Sequence, residues 1–426
     1  MSKLRKPLTT TSLQASITES AVDIFLPHLG RCLRIDQAPE VVSALAQAMP
    51  GWPLTVRSAA GPVPDRYLYR DADGLWQGSA HEPNEFHVPS PASAACSLVG
   101  ELVSQRLLNQ PELLGLHCAS VEINGRLVLF PESSKAGKST LSVAFAAADY
   151  RVFGDDVLGL TPEGAGVAMG VAPRLRLPLP NSFSAEFVAY AKHNAGPEDD
   201  RYRFVLPGPN GLANVNDCCP VGAIVLLERD SQLHEPEVVT LPPAEGLLQL
   251  LCQNFARDTS DATLLTRLLP LMQTLPCLLL RYAEPLAGAR YLAKVLQDSP
   301  LQSVNNASLL SLPAHHSLPH SQQDPQQYRS NSAAVILNSL WVAHPGVTTY
   351  PLGDELFLIR TANGAIHRLN SSGKIVWQLL QQESLSGHEL SSVIAEHFKA
   401  SLAQVSLDVG TLLMALADSD LIIQPS

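Results

Sequence analysis

At residues 132–140 the chain reads Glu132-Ser133-Ser134-Lys135-Ala136-Gly137-Lys138-Ser139-Thr140. This is the phosphate-binding loop pattern G-x-x-x-x-G-K-[ST], with Glu132 at the place of the first glycine. Such a loop holds nucleotide phosphates with backbone N–H groups, a helix N-terminus and the ammonium group of its lysine. The pattern predicts that these nine residues bind a nucleotide, with Lys138 on the outer phosphates and Ser139 on a magnesium ion.

The residues around the loop predict a strand before it and a helix after it. Residues 121–130 (VEINGRLVLF) read as a hairpin of two strands that turns at Asn124-Gly125. Residues 138–148 (KSTLSVAFAAA) are rich in helix-forming residues. Because a loop between a strand and a helix N-terminus is an anion site, this context supports the nucleotide interpretation.

Two neighbouring carboxylates, Asp155 and Asp156, follow the apolar stretch 150–154 (YRVFG). They lie seventeen and eighteen residues after Lys138. Paired carboxylates at a strand end beside a phosphate loop are typical of phosphoryl transfer, in which one holds Mg²⁺ and the other accepts the proton of an attacking hydroxyl.

Together with residues 116–125 (LHCASVEING), the loop and the aspartate pair resemble the HPr serine kinase/phosphorylase family and the HprK-related kinases. The resemblance is specific over residues 113–160 and general as far as residue 296. It implies an α/β (α+β) P-loop kinase core that uses ATP and Mg²⁺. It places the proton acceptor at Asp156, an active-site histidine at His117 and a metal-contacting serine at Ser139, and we assign Asp155 to the metal as well.

The chain also departs from that family. Glu132, Lys135 and Cys118 stand where the family usually has glycine, and a carboxylate near triphosphate costs roughly 1 kcal/mol per close pair in water. The Arg-Pro-Gly-Arg-Asn type stretch of the phosphorylase branch is absent, so neither phosphorolysis nor the hexamer is carried over. An inactive, degenerate kinase is the alternative. Arg174 and Arg176 alternate as on a strand, and two interpretations stay open for them: phosphate contacts or solvated edge residues.

Composition excludes several classes of protein. The chain has 426 residues, enough for two or three domains, and 29 basic against 40 acidic residues give a net charge of −11. That charge does not favour nucleic acid or an anionic membrane as partner. Seven cysteines without metal-type spacing fit a reducing cytosol, no secretory signal is evident, and the most apolar stretch, 264–280, is interrupted by proline and arginine. We therefore predict a cytoplasmic protein.

Composition shifts along the chain suggest five regions. Residues 21–87 are predicted to form only short strands and turns, and a helix is expected from Ser90-Pro91 to Asn109. The regions are a mobile N-terminus (1–18), a β-rich N-terminal region with a connecting helix (19–112), a P-loop domain of HPr-kinase type (113–296), a Ser/Gln/Pro/His-rich linker (297–333) and a small C-terminal domain (334–426).

The C-terminal region predicts a hairpin followed by three helices, a winged-helix-like arrangement. Residues 355–360 and 365–369 flank Asn363-Gly364, and Asn370-Ser371 begin a helix. Ser386 with Glu389, and Ser401 with Gln404, are candidate capping boxes for two more helices.

Residues 369–380 (LNSSGKIVWQLL) look like the signature of the PqqD family, also called RiPP recognition elements, and the resemblance runs from about residue 340 to 423. It implies capture of a leader peptide, by addition of a strand, from a ribosomally made precursor or another protein substrate. DNA binding is the rival for a winged helix, but residues 336–426 carry eight acidic and four basic side chains, a net of −4. Trp377 is expected to be a core residue.

Two functions from different classes remain at this point. The first is a kinase that phosphorylates a Ser or Thr hydroxyl of a recruited peptide. The second is a non-catalytic adaptor that binds nucleotide and delivers a peptide to another enzyme. A homo-oligomer is open in either case.

Overall fold

The computed structural model of the protein describes residues 4–5, 21–80, 84–131, 137–253, 259–298 and 335–425. The chain divides into two compact units. The first contains Met1–Leu241, Leu248–Arg257 and Thr274–Ala307, and the second contains Pro242–Leu247, Asp258–Gln273 and Ser308–Ser426. Most of the predicted mobile N-terminus and of the predicted linker lies outside the described residues. The domain limits given above stay predictions.

The longer helices begin and end at defined residues. They are α1 (Pro39–Ala48), α2 (Pro91–Leu108), α3 (Lys138–Ala147), α4 (Ala185–His193), α5 (Pro243–Cys252), α6 (Asp261–Thr274), α7 (Pro285–Asp298), α8 (Ser371–Gln382), α9 (Gly387–Phe398) and α10 (Leu402–Asp418). In the described residues, none of them is both long and apolar enough to cross a bilayer.

The N-terminal sheet has seven strands in the order β1-β7-β6-β5-β3-β2-β4. They are β1 (Leu4–Arg5), β2 (Val22–Leu26), β3 (Gly30–Asp36), β4 (Thr55–Ser58), β5 (Arg66–Asp71), β6 (Gly74–Ser79) and β7 (Glu85–Val88). Its apolar face packs against buried residues of α1 and α2. The expectation of only strands and turns is wrong for α1, which begins at Pro39 and buries Val41, Ala44, Leu45 and Ala48 at helical spacing.

The central sheet has nine strands. They are β8 (Leu114–Leu116), β9 (Ala119–Ile123), β10 (Arg126–Phe130), β11 (Arg151–Gly154), β12 (Leu158–Leu160), β13 (Ala165–Val167), β17 (Cys218–Arg229), β18 (Glu237–Thr240) and β19 (Cys277–Tyr282). β10, β17 and β19 are parallel, and α3, α4 and α7 bury apolar residues against this part of the sheet. The predicted hairpin is confirmed, and so are the helices predicted from Ser90-Pro91 to Asn109 and over 138–148, which are observed as Pro91–Leu108 and Lys138–Ala147. Three more strands form a separate sheet, β14 (Arg174–Arg176), β15 (Ala195–Glu198) and β16 (Tyr202–Val205).

The second unit holds two three-stranded sheets and helices α8 to α10. One sheet is β20 (Leu340–Ala343), β24 (Leu385–Ser386) and β25 (Ile422–Ile423), and the other is β21 (Val347–Leu352), β22 (Glu355–Arg360) and β23 (Ile366–Leu369). The capping box at Ser386 and Glu389 is confirmed. The one predicted at Ser401 is wrong, because the Gln404 side chain instead donates to the Asp408 carboxylate at 3.0 Å.

Candidate functional site

Three segments of the first unit meet at one edge of the central sheet. β9 is antiparallel to both β10 and β11, so β10 and β11 end where β9 begins. The register pairs Phe130 with Ala119 and Gly154 with Ser120. Pro131 directly after β10, the His117 segment that precedes β9 and the aspartates that follow β11 are therefore brought together. The sequence predicted this meeting, and ligands of α/β sheets bind at this kind of edge.

The second half of the predicted loop forms the N-terminus of α3. Glu132–Ala136 lie outside the described residues, so the position of the Glu132 carboxylate relative to the site stays a prediction. Gly137 has a φ of 102° and caps α3, and Lys138, only 6% exposed, is its first residue. Ser139 and Thr140 follow in the first turn, both half-buried. The N–H groups at the start of a helix and a buried ammonium group suit an anion.

Gly137 is required by its surroundings as well as by its backbone angle. A Cβ atom at this position would lie 2.7 Å from the hydroxyl oxygen of Tyr282. Tyr282 ends the parallel strand β19 and is buried. Sequence reasoning missed this tyrosine because it comes from a strand far along the chain. Its only signal was its place at the end of an apolar strand.

The carboxyl group of Asp155 is buried beside α3. Its Oδ2 atom accepts a hydrogen bond of 3.0 Å from the backbone N–H of Arg174, and the nearby hydroxyls of Ser139 and Ser142 favour its charged form. Its Oδ1 atom is buried with no hydrogen-bond partner among the described residues. Burial is the main cause that raises the pKa of Asp155 to about 7, and the neighbouring charge of Asp156 adds to the shift.

Asp156 lies in the opposite environment. Its Oδ1 atom is 2.7 Å from Nε2 of His117, and the two side chains are 60% and 38% exposed. This hydrogen bond holds the pKa of Asp156 below its ordinary value, and Lys138 contributes in the same direction. The backbone N–H of His117 donates to the carbonyl of Gln253 at 2.7 Å, which fixes the histidine at the sheet edge.

These groups have the chemistry that the predicted ligands need. A buried carboxylate oxygen without a described partner, next to a serine hydroxyl, fits the oxygen-ligand preference of Mg²⁺. A charged, exposed carboxylate fits a proton acceptor. The predicted site residues that the structure describes, His117, Lys138, Ser139, Asp155 and Asp156, are thus brought to one place, while their roles stay predictions.

Arg174 and Arg176 lie on the same face of β14. Their guanidinium carbons are 4.7 and 6.0 Å from the centre of the Tyr202 ring, within the range of cation–π contacts. Arg176 is exposed. Arg174 is half-buried, and its backbone N–H is hydrogen-bonded to the Asp155 carboxylate. Arg174 therefore lies beside the candidate site.

The C-terminal helices enclose a core around Trp377, which is 0% exposed, as predicted for a core residue. The Asn370 side chain caps α8 by accepting from Gly373 N–H at 2.9 Å. In the sheet β21-β22-β23, strand β23 pairs only with β22 among the described residues. Its Arg368 is held by Glu355 and by Glu245, the latter at 2.7 Å.

Residues 355–422 match the family model of coenzyme PQQ synthesis protein D (PqqD). The C-terminal segment is a PqqD-family domain. The structure of TbiB1 in complex with the TbiA(beta) leader peptide is similar over 20% of this chain and 98% of that chain, at 22% identity and a TM-score of 0.19.

The Hpr(Ser) kinase/phosphatase from Coxiella burnetii is similar over 43% of this chain and 94% of that chain, at 15% identity and a TM-score of 0.23. No curated protein matches the chain. The fold class is mixed α/β, with several sheets. Its more specific description, a P-loop kinase core with a winged-helix-like domain, stays a prediction.

Proposed function

We propose that this chain is an ATP-dependent kinase that phosphorylates a serine or threonine hydroxyl of a peptide or protein, which the PqqD-family domain recruits. The proposal rests on one observation above all. A charged, exposed Asp156 bonded to His117 lies beside a buried Asp155 and a buried Lys138, at the N-terminus of a helix and the edge of a sheet. Phosphoryl transfer needs these groups: cation, metal ligand and proton acceptor.

In this reaction the substrate hydroxyl oxygen forms a bond to the γ-phosphorus of ATP, and the bond from that phosphorus to its bridging oxygen breaks. ADP leaves with the electron pair of the broken bond, and the hydroxyl proton passes to the Asp156 carboxylate. Lys138 neutralises charge on the outer phosphates. Asp155 and Ser139 would hold Mg²⁺, which supplies further neutralisation of the phosphates. His117 keeps Asp156 charged and oriented.

The low pKa of Asp156 is compatible with this role. A carboxylate with a lowered pKa is a weak base, yet the phosphoryl transition state is loose and places little demand on base strength. Position then matters more than basicity, and the hydrogen bond to His117 supplies position.

Recruitment is assigned to the PqqD-family domain. Strand β23 pairs on one side with β22 and, among the described residues, with nothing on the other. An open strand edge binds an extended peptide through backbone hydrogen bonds. The proposed partner is therefore a peptide segment, such as the leader of a ribosomally made precursor. DNA is disfavoured as a partner because the PqqD-family domain has a net negative charge.

The decisive experiment is calorimetric titration of ATP with Mg²⁺ into the wild type and Lys138→Ala, followed by mass spectrometry of a serine-containing peptide incubated with ATP. We expect Mg²⁺-dependent binding that Lys138→Ala weakens strongly, and addition of one phosphate to the peptide. Equal binding by both proteins, or by neither, contradicts the nucleotide site. Binding without transfer to any hydroxyl points to the adaptor instead.

A further inference from the structure

A cavity of about 180 Å³ in the first unit ends at the two aspartates of the candidate site. One wall is helix α2, which contributes Cys96, Val99 and Val103. The facing wall includes Met169 and Phe204, which are 1% and 3% exposed. The lining away from the aspartates is thus apolar and comes from α2, residues 169–172 and Phe204, which the nucleotide site does not use.

The polar end of the cavity coincides with the proposed chemistry. Asp155, Asp156 and Arg174 are the charged residues that line it. Asp155 is the carboxylate whose Oδ1 atom is buried without a hydrogen-bond partner among the described residues. The Asp156 side chain is 60% exposed, so a hydroxyl can reach it from solvent while the adjoining group enters the cavity.

The other end opens at the surface of α2. Gly100 lines the cavity and is exposed, and a Cβ atom added there would meet nothing within 4 Å. An apolar cavity of about 150 Å³ holds a group of the size of benzene. The cavity beside Asp156 therefore has room for one large apolar side chain. Away from the aspartates, its lining offers no charged group that could pair with a charged side chain.

From this we infer that the cavity is the acceptor pocket of the kinase and selects a hydroxyl residue whose immediate neighbour in the peptide is Leu, Ile, Met or Phe. The inference rests on the proposed function and adds the class of substrate to it. The specificity residues are Val99, Val103 and Met169, which lie in the apolar part of the pocket. The N-terminal helix α2 thereby takes part in choosing the substrate.

The test uses the full chain and short synthetic peptides with a single serine in an alanine background. The residue before or after the serine is Leu, Phe, Gly or Glu. We expect kcat/KM for the better Leu or Phe peptide to exceed that of the Gly peptide by roughly tenfold or more, and the Glu peptide to be the poorest. Gly100→Leu fills the cavity from its open end and should reduce the Leu-to-Gly ratio to near one.

Ser104→Leu is the matched control, because it adds the same side chain one turn further along α2, at a residue that does not line the cavity. It should keep the preference. Gly100→Leu should fold, since leucine is the better helix former and the space is open. Alkylation of Cys96, mapped by mass spectrometry, gives a second readout without catalysis: the Leu peptide should slow it and the Gly peptide should not.

The outcomes separate the two proposals. Phosphorylation with no preference for the neighbouring residue, or a preference that survives in Gly100→Leu, overturns the acceptor pocket and leaves the kinase intact. Failure of every peptide together with failure to bind ATP overturns both. A preference lost in Gly100→Leu, kept in Ser104→Leu and matched by protection of Cys96 supports the pocket.

Discussion

Asp155 and Asp156 are neighbours in sequence, but their surroundings push their pKa values in opposite directions. Asp155 is buried and its pKa is raised to about 7, whereas Asp156 is bonded to His117 and its pKa is lowered. Titratable pairs whose environments diverge in this way are typical of active sites. The division suits a metal ligand that loses its proton when the ion binds, next to a carboxylate whose lowered pKa favours its charged form.

The raised pKa of Asp155 predicts a pH-dependent stability. Between its ordinary value of 3.8 and about 7, the folded protein keeps a proton that the unfolded chain has lost. The free energy of unfolding should therefore fall as pH rises through this window, by up to about 1.4 kcal/mol per pH unit from this group. Urea unfolding without metal should show a shallower slope for Asp155→Asn. The exposed Asp149→Asn is the control and should keep the wild-type slope.

The raised pKa of Asp155 also predicts how Mg²⁺ affinity depends on pH. Metal binding must displace the proton of Asp155, so the affinity measured with ATP should rise as pH increases through about 7. Titration in two buffers of different ionisation enthalpy should detect the released proton at a pH below 7. An affinity that is flat across this range, with no proton release, would remove Asp155 from the metal site.

Asp156 is expected to act in the transition state and not in nucleotide binding. Asp156→Asn should lower kcat by about 10²–10⁴-fold, the usual contribution of a general base, while the Kd of ATP changes little. Asp155→Asn should instead raise the Mg²⁺ concentration needed for activity. Small and equal losses from the two substitutions would contradict this division of roles.

At the scale of elements, the N-terminus of α3 leaves no room for a side chain between Gly137 and Tyr282 at the end of β19. Gly137→Ala places an alanine at a positive φ that is unfavourable for a residue with a side chain. It also adds a Cβ atom 2.7 Å from the Tyr282 hydroxyl oxygen. It should weaken ATP binding more than tenfold, since about 1.4 kcal/mol of displacement or strain suffices for that. Tyr282→Phe in the Gly137→Ala background removes the clashing oxygen and should restore part of the affinity. No recovery in calorimetry would show that backbone strain alone matters.

Elements with a strong local signal were predictable from the sequence, and contacts between distant segments were not. The Asn124-Gly125 hairpin, the Ser90-capped helix α2 and the Ser386 capping box follow from turn and cap chemistry. α1 was missed because the many prolines of residues 21–87 suggested turns, although Pro39 only begins the helix.

The site follows the same rule. His117, Lys138 and Asp155-Asp156 were predicted because each belongs to a short motif, and strand order then brings them to one edge. The hydrogen bond from Arg174 to Asp155 and the close approach of Tyr282 to Gly137 join separate elements, and no periodicity of the sequence predicts such pairs. The cavity under α2 was unpredictable for the same reason.

On the scale of the whole molecule, the proposed function places phosphoryl transfer in the first unit and peptide recruitment in the PqqD-family domain, and two such functions on one chain would gain by effective concentration. A peptide held by the PqqD-family domain presents its hydroxyl to the first unit without a second bimolecular encounter. The PqqD-family domain should therefore lower KM for a long substrate that contains the leader and leave KM for a short acceptor peptide unchanged. Comparing KM for long and short substrates thus distinguishes recruitment of the peptide from the phosphoryl-transfer step.

Removal of residues 333–426 should accordingly raise KM for a full-length peptide substrate by about tenfold or more, with the kcat of a short acceptor peptide nearly unchanged. Pro242–Leu247 and Asp258–Gln273 group with the removed segment, so ATP binding must be titrated in the truncated chain to show that the first unit is intact. In the full chain, proline scanning of the leader should weaken its binding where a backbone N–H is lost, because an added strand depends on those donors. Duplex DNA at moderate salt should not compete with the peptide, given the net charge of −4 on residues 336–426. An unchanged KM after truncation, with ATP binding preserved, would mean that the kinase finds its acceptor without the PqqD-family domain.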